Sequence, residues 1–292
     1  MSPRGLLSFV LALSTLLFAS CRHSAPAIVI GSQNTTEQAL VAEIVAQHLE
    51  SSLGLHVTRR TNVCGTLIAY QAMQSGELSI YPEYSGTIIT EILKEQPAPD
   101  ADQVFQRARG EMARIAQVQI VGPLGVDNSF VGVIRSADLE APRVSNLSDA
   151  ARTATGWKLA YSFEFQQKSD TVPALTQYHL PMSAPVRAVD PTALFKSLED
   201  GQSSLIVVRT TDGKLRSKDW KVLPDDRKLF TTQQLCLVVR QSILTDEPRL
   251  AGALAELSGK FTNAKMRELN AQVDLDYQSV EQVAKRFAAT LR

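Results

Sequence analysis

The chain has 292 residues, with 30 lysines and arginines matched by 30 aspartates and glutamates, and 44% of its residues are hydrophobic. That length accommodates two domains, and the balanced charge gives no electrostatic reason to expect nucleic-acid binding. The four histidines and three cysteines are scattered, so no metal site is expected. No HExxH, no Gly-rich phosphate loop and no Ser or Cys with a convincing His partner occurs, so no catalytic residue and no cofactor is implied.

Taken from the start, Arg4 precedes an apolar stretch over residues 6–13 and 16–18, which ends in Ala19-Ser20. A positive start, a short apolar core and small residues at the end make a secretory signal over residues 1–21. The run is too short and interrupted to span a bilayer well, and no later stretch could do so. Ala19-Ser20 directly before Cys21 resembles the lipobox of bacterial lipoproteins, which implies cleavage before Cys21 and lipidation of that residue. A plain signal peptide with an incidental cysteine is the other reading. Both put the mature chain outside the cytoplasm, in the periplasm or its equivalent, and the lipobox reading anchors it to a membrane. Residues 22–26 look like a short tether.

The next hundred residues repeat one pattern three times: strand, polar turn, helix. Residues 27–31 read as a buried strand. Thr35 or Thr36 then caps a helix that places Leu40, Val41, Ile44, Val45 and Leu49 on one face and ends at Gly54. A strand at 55–60 and a turn at 62–66 lead to a helix over about 67–74. A third strand, 78–81, alternates Leu78 and Ile80 with Ser79 and Tyr81 and is expected to stop at Pro82, which cannot donate to a sheet ladder. Alternating β and α units predict a parallel sheet covered by helices, and right-handed crossovers put all three turns on one edge. Ligands of open α/β sheets sit beyond the carboxyl ends of strands. Tyr81, Glu83, Tyr84 and Thr87 fall there, as a ligand shelf or as a Tyr-rich strand end packed under a loop.

Pro97 and Pro99 break the chain before a charged helix (about 102–117) and a strand at 118–121. After a further strand at 129–135 the α/β pattern restarts. Asn146 caps a short helix, 158–161 is a strand, and 162–168 is a polar-aromatic turn. Asp190-Pro191 opens a helix closed by Gly201, and 204–208 is a strand. A last strand at 235–239 precedes helices at about 247–258, 262–272 and 279–291. The organisation is therefore α/β with one lobe from 27–130 and 235–292 and a second from 131–234.

With these turns in place, the chain resembles the binding proteins of bacterial osmoprotectant ABC importers, the receptors for glycine betaine, choline and carnitine. Ile30-Gly31-Ser32-Gln33-Asn34-Thr35-Thr36-Glu37-Gln38 and Tyr81-Pro82-Glu83-Tyr84-Ser85-Gly86-Thr87 carry the similarity. So do Asp127-Asn128-Ser129-Phe130, Glu164-Phe165, Thr210-Thr211-Asp212-Gly213 and Met266-Arg267-Glu268-Leu269-Asn270. The resemblance implies a two-lobed periplasmic-binding-protein fold, each lobe a mostly parallel sheet flanked by helices, joined by two hinge crossings. It also implies a small-molecule solute held in the cleft, docking on ABC permease subunits, a monomer and no enzymatic activity.

The family holds a quaternary ammonium in a cage of aromatic rings, and the resemblance carries substrate-binding roles to Gln33, Asn34, Tyr84, Thr87, Phe130, Lys168, Arg209 and Gln233. The departures are specific. Tyr84 matches one wall and Phe130 keeps a second ring without its hydroxyl, but Arg209 and Gln233 stand where further rings are usual. Gln33 replaces a frequent lysine, and Lys168 stands where arginine is common. The expected ligand is therefore more polar or more anionic than a betaine, provided that Arg209 faces the pocket rather than turning outward or pairing with Glu164 or Glu83. Cys64 and Cys236 either form a disulfide, as an oxidising compartment invites, or stay as two free, buried thiols. An enzyme, or a sensor or scaffold that kept the fold and lost the ligand, are the alternatives. Turnover of a solute would mark the first, and a melting curve unmoved by every solute the second.

Overall fold

The computed structural model describes residues 28–138, 143–154 and 156–291. The expected signal segment over residues 1–21, with Cys21, lies outside the described residues. Chain order runs β1 (Ile28–Gln33), α1 (Thr36–Leu53), β2 (Val57–Val63), α2 (Thr66–Gln74) and β3 (Ile80–Tyr84). A helical turn (Ser85–Thr87) then passes into a π-turn (Ile88–Ile92), followed by α3 (Ala101–Ala116), β4 (Val118–Val121) and β5 (Phe130–Arg135). Next come α4 (Leu147–Ala151), β6 (Leu159–Ser162), α5 (Phe163–Gln167), α6 (Thr171–Thr176), β7 (Arg187–Val189), α7 (Leu194–Glu199), β8 (Leu205–Arg209) and β9 (Trp220–Leu223). The chain closes with β10 (Leu235–Arg240), α8 (Gln241–Asp246), α9 (Arg249–Ala255), α10 (Asn263–Asp274) and α11 (Val280–Ala288).

The strands form two five-stranded sheets, ordered β2-β1-β3-β10-β4 and β7-β6-β8-β5-β9. Each is mostly parallel, with four strands running one way and a single strand, β10 or β5, running the other. β1 runs parallel to β2 and β3, while β10 is antiparallel to both β3 and β4. In the second sheet β6 is parallel to β7 and β8, while β5 is antiparallel to β8 and β9. The cause is the double crossing. A strand that ends a βα unit points its carboxyl end at the cleft, whereas β5 and β10 arrive from the other sheet, start at the cleft and run away from it.

Side chains alternate between the faces of each sheet, the period-2 rule of strands. Leu235, Leu237 and Val239 of β10 join the core under α1, with Leu40, Ile44 and Leu49. Cys236 and Val238 join the opposite core with Met73, Phe105 and Met112. Phe130 and Ile134 of β5 face one core of the second sheet, and Val131 and Val133 the other. Thr35 caps α1 by accepting from the Gln38 main-chain N–H, and Gly54 ends it in the left-handed region at φ +67°, where a side chain is strained.

Two local expectations change. β3 does not stop at Pro82 but runs to Tyr84, with Pro82 opposite Leu237 of β10. β1 partners β3 at Ile30–Ile80, short of the proline, so the missing N–H falls where β1 no longer needs it. Residues 163–167 are a helix, not an open turn, because Ser162 accepts from the Phe165 N–H and caps it. Both cysteines are free, and they differ from the paired-or-buried expectation: Cys236 is buried but Cys64 is exposed. Among the described residues no helix is long and apolar enough to cross a membrane.

Candidate functional site

The parallel run of β1, β2 and β3 brings their carboxyl ends to one edge, and the side chains there meet. Gln33 Nε2 donates to Glu83 Oε2 at 2.9 Å and to Thr66 Oγ1 at 3.4 Å. The Tyr84 main-chain N–H donates to Glu83 Oε1 at 2.9 Å. Glu83 is fully buried, and burial pushes its carboxyl up to about 7 against the pull of the Tyr84 N–H, Thr66, Lys168 and Gln33. Its main-chain oxygen accepts from the Cys236 thiol at 3.2 Å.

Beside this group stands a second carboxylate hub. Glu37, in the first turn of α1, accepts from the Tyr84 hydroxyl at 2.6 Å, from Asn128 Nδ2 at 3.1 Å and from Asn270 Nδ2 at 3.0 Å. Asn270 Nδ2 also donates to the Thr211 main-chain oxygen at 2.9 Å, so the hub reaches the second lobe. Burial and the Glu37 charge both push the Tyr84 phenol well above its ordinary range, so it stays a donor.

The second sheet contributes rings and cations. Phe130 at the start of β5 lies opposite Arg209 at the end of β8. Phe130 packs edge-on against Phe165 at 4.8 Å and Phe230 at 6.0 Å between ring centroids. The Arg209 guanidinium lies over the Phe130 ring, 3.9 Å from its centroid. It donates through Nη2 to Glu164 Oε1 at 2.5 Å and through Nη1 to the Asn128 main-chain oxygen at 3.1 Å. Lys168, which follows α5, places Nζ 3.7 Å from Glu91 Oε1 on the π-turn of the first lobe.

The two crossings are tied together at Asp127. Its Oδ1 accepts from the Ser129 and Gln233 main-chain N–H groups at 3.1 and 2.8 Å, and its Oδ2 from the Thr232 hydroxyl at 2.6 Å. Gln233 is buried, and its Oε1 accepts from both the main-chain N–H and the hydroxyl of Thr87, at 3.1 and 3.0 Å.

Of the residues picked from sequence, Gln33, Tyr84, Thr87, Phe130, Arg209 and Gln233 are thus held in one connected region at the strand ends. Lys168 reaches it from the second lobe, and Asn34 stands exposed in the bend after β1. Arg209 takes the ion pair with Glu164 and at the same time covers a ring. Sequence reasoning missed the roles of Glu37, Thr66, Glu91 and Asn270. Glu37 and Asn270 lie within the matching motifs, but only their three-dimensional convergence on Tyr84 and Thr211 sets them apart.

Comparison with known proteins places the chain. The sequence model for the substrate binding domain of ABC-type glycine betaine transport systems, OpuAC, matches residues 26–290. An ergothioneine transport permease/ergothioneine binding protein of Helicobacter pylori is 26% identical over 265 residues, which cover 90% of this chain and 47% of that protein, so the chain spans about half its length. A glycine-betaine-binding protein of Pseudomonas aeruginosa is 27% identical over 282 residues, covering 93% of this chain and 90% of that one. Among solved structures, a glycine betaine/carnitine/choline ABC transporter protein superposes with TM-score 0.84 at 20% identity, covering 90% of this chain and 98% of that one. Ligand-free YehZ of Escherichia coli gives TM-score 0.75 at 22% identity, covering 91% and 99%. These structures share the two-lobed fold, and the match over nearly the whole described chain means that it belongs to the family of substrate-binding domains of ABC-type glycine betaine transport systems.

Proposed function

We propose that this chain is the extracytoplasmic solute receptor of an osmoprotectant-type ABC importer. It holds a small polar solute between its lobes, hands it to membrane permease subunits, acts as a monomer and catalyses nothing. Cys21 is its lipid-bearing N-terminus. The observation that carries the reading is the meeting, at the strand ends of both sheets, of side chains from the two lobes: Lys168 of one beside Glu91 of the other, 3.7 Å apart, above the buried Glu83. Hinged lobes with polar groups converging across the gap suit capture by closure.

The ligand is more polar than a bare trimethylammonium. Each ring face over a cation contributes roughly 0.5–2 kcal/mol, and two ring positions of the family cage are Arg209 and Gln233 here. The reading narrows to a neutral or zwitterionic solute rather than an anion. Arg209 is matched by Glu164 and Lys168 by Glu91, so neither cation offers a free fork. Two relatives take their names from ergothioneine and glycine betaine, both zwitterions, and ergothioneine carries the more polar body.

The test is a thermal-shift panel of glycine betaine, choline, carnitine, ergothioneine, small amines and organic acids. A true ligand at about 100 times its Kd stabilises by about 2.7 kcal/mol. At least one polar zwitterion is expected to do so, and Lys168→Ala to weaken it by about tenfold. A panel that leaves the melting temperature unmoved would overturn the receptor reading, and turnover of any solute would favour an enzyme.

A further inference from the structure

Two side chains in the cleft make the contacts that the two ends of a zwitterion would make. A cation binds best over an aromatic face from which water is excluded. A face of Phe130 is occupied by the chain's own guanidinium, 3.9 Å from the ring centroid, while Phe165 and Phe230 make T-shaped contacts with the same ring. A carboxylate oxygen is held where an N–H and a hydroxyl converge. At Thr87 those two donors converge on the carboxamide oxygen of Gln233. Arg209 and Gln233 also share a neighbour. Arg209 Nη1 donates to the Asn128 carbonyl, and the Asn128 N–H donates to the Gln233 main-chain carbonyl at 3.0 Å, so both residues are tied to the main chain of Asn128.

We infer that Arg209 and Gln233 together form an internal stand-in for a small zwitterion, occupying the ring seat at Phe130 and the donor seat at Thr87, and so exclude betaines of the simplest kind from the cleft. This rests on the receptor reading above and sharpens its specificity. Glu164 positions the stand-in. Its carboxylate holds Nη2 while Asn128 holds Nη1, so the guanidinium plane is fixed by two anchors and the ring is its third contact. Gln233 is fixed from both sides: its main-chain N–H is tied to Asp127 and its side chain to Thr87. A ligand that fits must either make its contacts elsewhere in the cleft or displace one of these groups. A solute whose only offerings are a methylated cation and one carboxylate replaces contacts already satisfied and gains little.

The two seats separate experimentally, because a cation without any oxygen uses only one of them. The probes are glycine betaine and tetramethylammonium, titrated by calorimetry or saturation-transfer NMR against the full mature chain. Arg209→Ala is expected to raise affinity for both probes by about tenfold or more, by freeing the ring and removing a like charge. Gln233→Ala is expected to raise affinity for glycine betaine several-fold and leave tetramethylammonium unchanged. The Glu164→Gln, Arg209→Ala double variant checks that the gain comes from the freed ring and not from an unmatched carboxylate, so the gain persists in it. Arg209→Gln serves as a second route to the same vacancy, and melting curves confirm that every variant is folded. Wild type binding glycine betaine as tightly as Arg209→Ala, or Gln233→Ala shifting both probes equally, would overturn the stand-in. Solutes from the panel binding wild type with no gain in the variants would sink the stand-in alone. No binding by wild type or by any variant would sink it together with the receptor reading.

Discussion

Glu83 is a carboxylate enclosed by protein on every side, and its neutral and ionised forms compete near neutrality. Its folded pKa, about 7, stands above the ordinary value of 4.5. The folded state therefore holds a proton that the unfolded chain has released between those two values. Stability contributed by Glu83 is fully present below about pH 4.5, declines as pH rises towards 7, and is flat above. Each unit of difference corresponds to about 1.4 kcal/mol, so the full swing is a few kcal/mol at most. Denaturant titrations of wild type and Glu83→Gln across pH 4–8 would test this. The difference between the two curves is expected to slope downwards across that window, and a flat difference would remove Glu83 as the titrating group. Lys168 and the donors Gln33, Thr66 and the Tyr84 N–H favour the ionised form. Glu91 and Glu164, the next carboxylates in the cleft, are each engaged by a cation.

At the scale of elements, the turn after β3 depends on close backbone approach. A Cβ added at Gly86 would lie 2.2 Å from the Thr232 main-chain oxygen and 2.7 Å from Gln233 Nε2. A main-chain oxygen cannot move aside as a flexible side chain can. Gly86→Ala is therefore expected to cost about 1–3 kcal/mol, read as a lower urea midpoint, and to release Gln233 from Thr87. An unchanged midpoint would mean that the second crossing gives way freely. In the sequence this glycine stands out only as a member of the Tyr81–Thr87 motif. The same holds more widely. Buried strands such as β5 and β10 and the capped helix α1 announce themselves by apolar runs, period and caps. β7 and β9, three and four residues long, are edge strands with half-exposed side chains, and nothing local distinguishes them from loop. Site residues followed the same division. Tyr84 and Thr87 sit on a strand end that the period locates, whereas the pairing of Arg209 with Glu164 and Phe130 is a matter of rotamer and register that no single stretch encodes.

At the scale of the molecule, the lobes touch in two unlike ways. α10 lies against residues 210–216: Arg267 Nε donates to the Thr210 carbonyl at 2.6 Å, Asn270 to the Thr211 carbonyl, and a Cβ on Gly213 would stand 2.7 Å from the Ala271 nitrogen. These contacts are short and directed at main chain. Across the cleft the Lys168–Glu91 pair is longer, at 3.7 Å, and partly exposed. Such pairs contribute roughly 0–1 kcal/mol, so this one adds little to holding the lobes together beside the contacts of α10.

The strand order also has a consequence for how the molecule comes into being. β3 and β4 never touch; β10, made from the chain's last sixty residues, is wedged between them. The second sheet, by contrast, is drawn from one continuous stretch, Phe130 through Leu223. A chain emerging from its N-terminus can assemble the second lobe while the first still carries two unpaired strand edges, each a template for the wrong partner. Closing that gap means bringing together segments more than a hundred residues apart, which is slow. Pulse-labelled hydrogen exchange during refolding is expected to protect β5, β6 and β8 before β3 and β10, and simultaneous protection would contradict this order. The half of the protein made first is completed last, and until then its longest-lived hazard is an open edge waiting for the far end of its own chain.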